Sequence, residues 1–136
     1  MNWLFKEEPS SYSFDDLVSD GRTRWSGVKN PLAQKHLRSV RRGDRVLYYH
    51  TGGEKAIIGV ARAASDAYVD PGDPSGRRVA VDIAPEKKLP RPVSLAEIKR
   101  LKMFARFPLV RISRLSVMPV GDREWKAILR LSAGSV

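Results

Sequence analysis

The sequence predicts a single α+β domain whose mixed or antiparallel sheet curves towards a small barrel flanked by helices. The chain has 136 residues, within the range of about 100–150 where single domains are commonest. Hydrophobic residues make up 42% and charged residues 29%, a globular balance rather than a disordered or fibrous one. Short β-prone runs cluster in the middle of the chain, with capped helical segments between and after them; parallel βαβ alternation is not supported. Five or six short strands closing on themselves would leave a mouth at one barrel end, a usual place for a ligand pocket.

Trp3-Leu4-Phe5 reads as a short N-terminal strand ended by Pro9-Ser10-Ser11. Ser13 then caps a short helix, with Asp15 and Asp16 in the first turn and Phe14, Leu17 and Val18 as its buried stripe, stopped at Asp20-Gly21. A second helix opens at Asn30, a good N-cap, with Pro31 at the first helical position, where its missing N–H costs nothing. Its inward face is Leu32, Ala33, Leu37 and Val40, and Gly43-Asp44 closes it. Val46–His50 and Ala56–Ala61 are β-prone runs joined through Thr51-Gly52-Gly53-Glu54, a hairpin.

Asp70-Pro71-Gly72-Asp73-Pro74-Ser75-Gly76 is a surface loop by composition. Arg78–Ala84 alternates as a strand, and Pro90 and Pro92 break the chain after it. Ser94, with Glu97 three residues on, sets up a capping box for a helix through Leu101. Phe107–Val110 leads into an extended Arg114–Pro119. Asp122 caps a final helix with Trp125, Ile128, Leu129 and Leu131 facing inward.

The net charge of +10 and a pI near 10.3 draw the chain to polyanions. From Gly21 to Arg45 eight basic residues face Asp44 alone, too one-sided for mutual ion pairing, so nucleic-acid phosphate is the expected counter-charge. No apolar stretch approaches the ~20 residues a bilayer span needs, and the N-terminus turns acidic at Glu7-Glu8; neither secretion nor membrane insertion is expected. With no cysteine, disulfides and thiolate chemistry are excluded; two histidines alone argue against a structural zinc site, and no metal or cofactor is expected. The cytoplasm with its nucleoid is the expected address, or the nucleus in a cell that has one. Nothing such as an apolar heptad repeat demands a dimer, so a monomer is expected.

No nucleophile elbow, P-loop, dinucleotide fingerprint or His-Glu-x-x-His pattern is present. Glu7 and Glu8 adjoin on a strand and point to opposite faces, which argues against a catalytic pair. His36 sits in the basic helix as a surface or phosphate-facing residue. His50 ends an apolar strand before a glycine turn, where it serves either as a structural histidine or as a group reaching into a cleft. Trp25 lies in Arg24-Trp25-Ser26-Gly27-Val28-Lys29-Asn30, the most basic segment; a planar indole among cations suits stacking on a nucleobase, and core packing is the competing use.

Several segments together resemble the EVE domain family of the PUA-like superfamily: Trp3–Ser10 with Tyr12-Ser13, Trp25–Asn30, Gly43–His50, Gly59-Val60-Ala61, and Arg114–Val120 before Glu124-Trp125. Their order and spacing match from end to end. Lys29 stands where the family usually has Arg, Thr51 where it has Ser, and Pro31-Leu32 where it has an aromatic-containing segment. The resemblance implies a pseudo-barrel whose mouth binds a chemically modified base in DNA or RNA, a modified cytosine first. It implies a pocket lined by Lys6, Glu8 and Ser10 from the first strand's end, and by Trp25, Ser26, Val28 and Asn30 from the Trp loop. Tyr49, His50 and Thr51 would come from the strand ending in His, with Leu115, Ser116 and Val117 completing the wall.

The mechanism expected on that basis is base flipping. Trp25 would stack on the base, Ser10, Asn30, Glu8 and His50 would read its edge, and Lys29, Lys35, Arg38, Arg41 and Arg42 would hold phosphates. The rival expectation is a small hydrolase acting on a modified nucleotide or an amide-containing molecule, with Lys6, Glu8 and His50 as its acid–base groups.

Overall fold

A computed structural model describes residues 1–134. In chain order the elements are β1 (Asn2–Glu7), α1 (Pro9–Tyr12), α2 (Phe14–Asp20), β2 (Thr23–Trp25), α3 (Pro31–Arg38), β3 (Arg45–His50), β4 (Ala56–Ala63), β5 (Tyr68–Val69), β6 (Val79–Ser94), α4 (Leu95–Lys99), a 3₁₀ turn (Lys102–Phe104), α5 (Pro108–Arg111), β7 (Val117–Val120) and α6 (Asp122–Ser132). The sheet runs β2-β6-β4-β3-β1-β7, with β5 paired to β6. It is mixed, as expected: β1 and β3 are parallel, and every other pair is antiparallel. A parallel pair needs a long crossover, and the two short helices, β2 and α3 supply it. None of these helices is long and apolar enough to cross a membrane.

Curvature comes from β4 and β6. Their pairing slips between Ile57 and Gly59 and again between Val60 and Ala61, and such bulges bend a strand and raise its twist. The long β6 is thereby shared, pairing with β2 at Val81–Ile83 and with β4 from Ile83 to Ser94. Inside the curl, the Phe14 ring packs edge-on to Tyr48 at 5.7 Å, and Trp25 meets Phe5 at 5.3 Å and Tyr48 at 5.5 Å. Gly59 makes room for that cluster, since a Cβ there would sit 2.5 Å from the Phe14 ring. α6 packs on β6, and α3 on β6 and β7.

Several boundaries differ from the expectation. β6 continues through Pro90 and Pro92, because both prolines fall in the stretch between Lys88 and Val93 where β6 has no ladder partner on β4 and needs no N–H donor. α1, β2 and α5 occupy segments read as loop or extended chain. α3 ends at Arg38 rather than near Gly43, and α4 stops at Lys99. Val18 and Leu32, expected inside, are 54% and 38% exposed. Asp122 is the first residue of α6, not its cap, which is Gly121. The capping boxes at Ser13/Asp16 and Ser94/Glu97 form as the sequence pattern predicts.

Candidate functional site

The C-terminal end of β1 divides the expected pocket in two. β1 and β3 run in register with Lys6 opposite Tyr49 and Glu7 opposite His50, and successive side chains on a strand leave by opposite faces. Glu7 therefore shares the inner face with Phe5, Tyr48 and His50, and Lys6 shares the outer one with Tyr49. Two separate clefts result.

The inner cleft, of about 240 Å³, is lined by Glu7, Tyr12, Thr23, Arg24, Trp25 and Ser26. Trp25 is set by β2, whose backbone pairs with β6 at Val81. Its ring is 7% exposed and leans on Phe5 and Tyr48, so it forms a wall and presents an edge rather than an open stacking platform. Glu7 spends one carboxylate oxygen on the Glu8 N–H at 2.9 Å. The Tyr12 hydroxyl donates to Asp20 at 2.7 Å; partial burial and that carboxylate raise its pKa above the usual phenol value. An aromatic wall, one carboxylate, one guanidinium and three hydroxyls can grip a flat, polar-edged molecule and discriminate donors from acceptors on its rim.

The loop leaving Trp25 is pinned from two sides. Gly27, at φ +72° where only glycine is comfortable, donates its N–H to Asp70 Oδ2 at 3.2 Å. Asp70 is 4% exposed and also accepts from Gly72 at 2.9 Å. Gln34 of α3, buried as well, donates to the Val28 carbonyl at 2.8 Å and accepts from the Val79 N–H at 2.9 Å. Asn30 caps α3 by accepting from Ala33 at 3.0 Å.

The outer cleft, of about 280 Å³, is lined by Lys6, Tyr49, Thr51, Gly52, Lys55, Leu95, Lys99, Leu109, Val110 and Ser113. The Lys6 ammonium donates to the Ser113 carbonyl at 2.8 Å and lies 5.7 Å from the Tyr49 ring centre. Burial holds its pKa below the ordinary lysine value. Glu8 stands at the rim, accepting from the Thr51 hydroxyl at 3.4 Å.

Of the expected pocket residues, Trp25 and Ser26 meet in the inner cleft, and Lys6, Tyr49 and Thr51 in the outer one. Seven belong elsewhere. Val28, Leu115 and Val117 are core residues closed to a ligand. His50, expected to read a base edge, is 5% exposed and has both ring nitrogens engaged: Nε2 accepts the Phe14 N–H at 3.0 Å, and Nδ1 lies 3.2 Å from Glu54. That pattern fits a neutral imidazole with its proton on Nδ1, a structural role. Ser10 is exposed on α1, Asn30 is spent on its cap, and Ser116 offers its carbonyl to the Lys6 N–H at 2.9 Å. Among the expected phosphate ligands, Lys29, Lys35, Arg38, Arg41 and Arg42 are all exposed on or beside α3. Arg38 lends one N–H to the Arg77 carbonyl at 2.9 Å, and Arg41 bonds the Arg38 carbonyl at 3.0 Å. Glu7, Tyr12, Thr23 and Arg24 line the inner cleft without having been expected there; for Glu7 the strand alternation that places Phe5 inward carries the signal.

Residues 1–131 match the sequence model of the EVE domain. A protein from Rhodopseudomonas palustris of known solution structure is 43% identical and superposes with a TM-score of 0.92, over 97% of this chain and 92% of that one. Human thymocyte nuclear protein 1 is 27% identical over 96% of this chain and 73% of its own length. The crystal structure of the human THYN1 protein in complex with 5-methylcytosine-containing DNA superposes with a TM-score of 0.86 at 24% identity, over 96% of each chain.

Proposed function

The chain belongs to the EVE domain family, and from that premise we propose that it binds DNA and receives a flipped, modified cytosine in the inner cleft beside Trp25. The observation that carries this reading is the lining of that cleft, an aromatic wall with Glu7 and Arg24 on a pocket of about 240 Å³, below the roughly 300 Å³ at which drug-sized sites begin and suited to a single base. The 5-methylcytosine-containing DNA bound by the human THYN1 protein supports it.

The free oxygen of Glu7 accepts from the exocyclic amine of cytosine, the pairing a carboxylate makes with that edge. Arg24 and the hydroxyls of Thr23 and Ser26 serve the ring's acceptor positions. Trp25 supplies the apolar contact for the modification. Extrusion of a base costs a few kcal/mol; a hydrogen bond to a charged group returns about 1.5–3 kcal/mol, so two of them, to Glu7 and Arg24, offset it. Lys29, Lys35, Arg38, Arg41 and Arg42 hold the backbone.

An acid–base enzyme is the poorer reading, since His50 lies on the opposite face of the sheet from Lys6 and its nitrogens are occupied. The decisive comparison is between single strands carrying 5-methylcytosine and thymine, which share the methyl group and differ in the amine. The protein binds 5-methylcytosine more tightly, and Glu7→Gln narrows that gap. Equal affinity for both strands in the parent protein would overturn the assignment of Glu7.

A further inference from the structure

The outer cleft has a chemistry of its own. Three lysines, Lys6, Lys55 and Lys99, line it, and none has a carboxylate within 4.0 Å of its ammonium among the described residues. Lys6 is half-buried with one donor on the Ser113 carbonyl, and a desolvated ammonium calls for more partners than that. Glu8 at the rim and Glu54, which lines the adjoining hollow with Lys55 and Lys99, stand against three lysines, so the cleft stays net positive. Lys55 is the one non-glycine residue at positive φ among those described, +45°, a conformation lysine rarely adopts. It is held there by the Leu95 N–H, which donates to its carbonyl at 2.8 Å. The floor is apolar: Leu95, Leu109 and Val110.

Around the cleft, residues 98–121 carry six basic side chains and no acidic one. Of these, Arg100, Arg111 and Arg114 adjoin lining residues in the sequence and are exposed, adding to the local positive field.

We propose that this cleft is a second ligand site, one that takes a phosphate monoester carried on a small organic body. A phosphate monoester bears about −1.5 to −2 at neutral pH, opposite in sign to the cleft's excess, and lysines meet a tetrahedral anion as rotatable point charges. The apolar floor takes the attached body, which a bare inorganic anion would leave uncovered. A free mononucleotide and the 5′-phosphate end of a strand present the same chemistry. The site stands apart from base reading, because strand alternation puts it on the other face of β1 from Trp25.

The test follows backbone amide signals of the full chain during titration with cytidine 5′-monophosphate, with cytidine as the phosphate-free control. Saturable shifts at Thr51, Lys55, Lys99 and Ser113 are expected with the nucleotide and not with the nucleoside, while Ser26 in the inner cleft responds alike to both. Lys99→Gln, at an exposed position, weakens the interaction about tenfold, and Lys6→Met removes it. Competition by a 5′-phosphorylated but not a 5′-hydroxyl oligonucleotide assigns the site to strand ends; competition by neither assigns it to free nucleotides. Non-saturating shifts spread over the exposed lysines and arginines, equal shifts with cytidine, or undiminished binding in Lys6→Met would each overturn the proposal.

Discussion

His50 accepts the backbone N–H of Phe14 through Nε2 at 3.0 Å, fastening the end of β3 to the first turn of α2. Phe14 in turn fills the space that Gly59 leaves open, so one imidazole fixes the packing behind the Trp25 wall. His50→Ala strands a buried N–H, a loss of about 1–3 kcal/mol, and opens a cavity beside Tyr48, whose ring lies 5.7 Å away. Urea denaturation is expected to show a fall of at least that size. A change within experimental error would contradict the structural role.

Gly59→Ala tests the same packing from the other side. Its Cβ would meet the Phe14 ring at 2.5 Å, and overpacking of this kind costs about 1–3 kcal/mol. The thermal midpoint is expected to drop, and a combined Gly59→Ala, Phe14→Leu variant to recover part of the loss.

Asp70 positions the Trp25 loop from a distance through the Gly27 N–H. Asp70→Ala releases Gly27 and Gly72 together and should weaken binding to a modified strand several-fold, with the salt dependence of binding unchanged because no phosphate contact is lost. A flatter salt slope would mean that the loop acts on the backbone instead.

The adjoining turn carries a pH response. Hydrogen bonds from Ser75 and from the Arg78, Ser75 and Arg77 N–H groups pull the Asp73 pKa from the ordinary 3.8 down to about 2. A lowered carboxylate stabilises the fold fully above its unfolded value and loses that contribution as pH falls through its folded one. The amide signals of Ser75, Arg77 and Arg78 should therefore stay constant down to about pH 4 and move together at about pH 2. Separate midpoints near the ordinary carboxylate value would show that the turn is not held by Asp73.

β1, β3 and β4 and the caps of α2, α3 and α4 are legible because they rest on local signals: apolar β-prone runs for the strands, Ser13 and Ser94 each three residues before an acid, and Asn30 before a proline. Pro90 and Pro92 misled, since a proline rule assumes a ladder partner and β6 has none between Lys88 and Val93. Trp25 and Ser26 share the inner cleft because they adjoin in the sequence, whereas the other lining residues Tyr12 and Thr23 come from elements too short to show periodicity. The grouping of Lys6 and Tyr49 with Trp25 failed on a point the sequence did contain, the alternation of faces along β1. The tasks of Gln34 and Asp70 depend on contacts 43–45 residues apart, which no local pattern reports.

The most direct test of the central claim is the indole N–H signal of Trp25, followed as the protein is titrated with matched DNA strands carrying cytosine or 5-methylcytosine. Trp3, whose indole donates to Asp44 at 2.9 Å, and Trp125 on α6 serve as internal references. The account predicts a shift of the Trp25 signal that is larger and saturates earlier with 5-methylcytosine, while both references stay in place. A Trp25 signal that does not move, or moves equally with both strands, would contradict a base-reading cleft at this position.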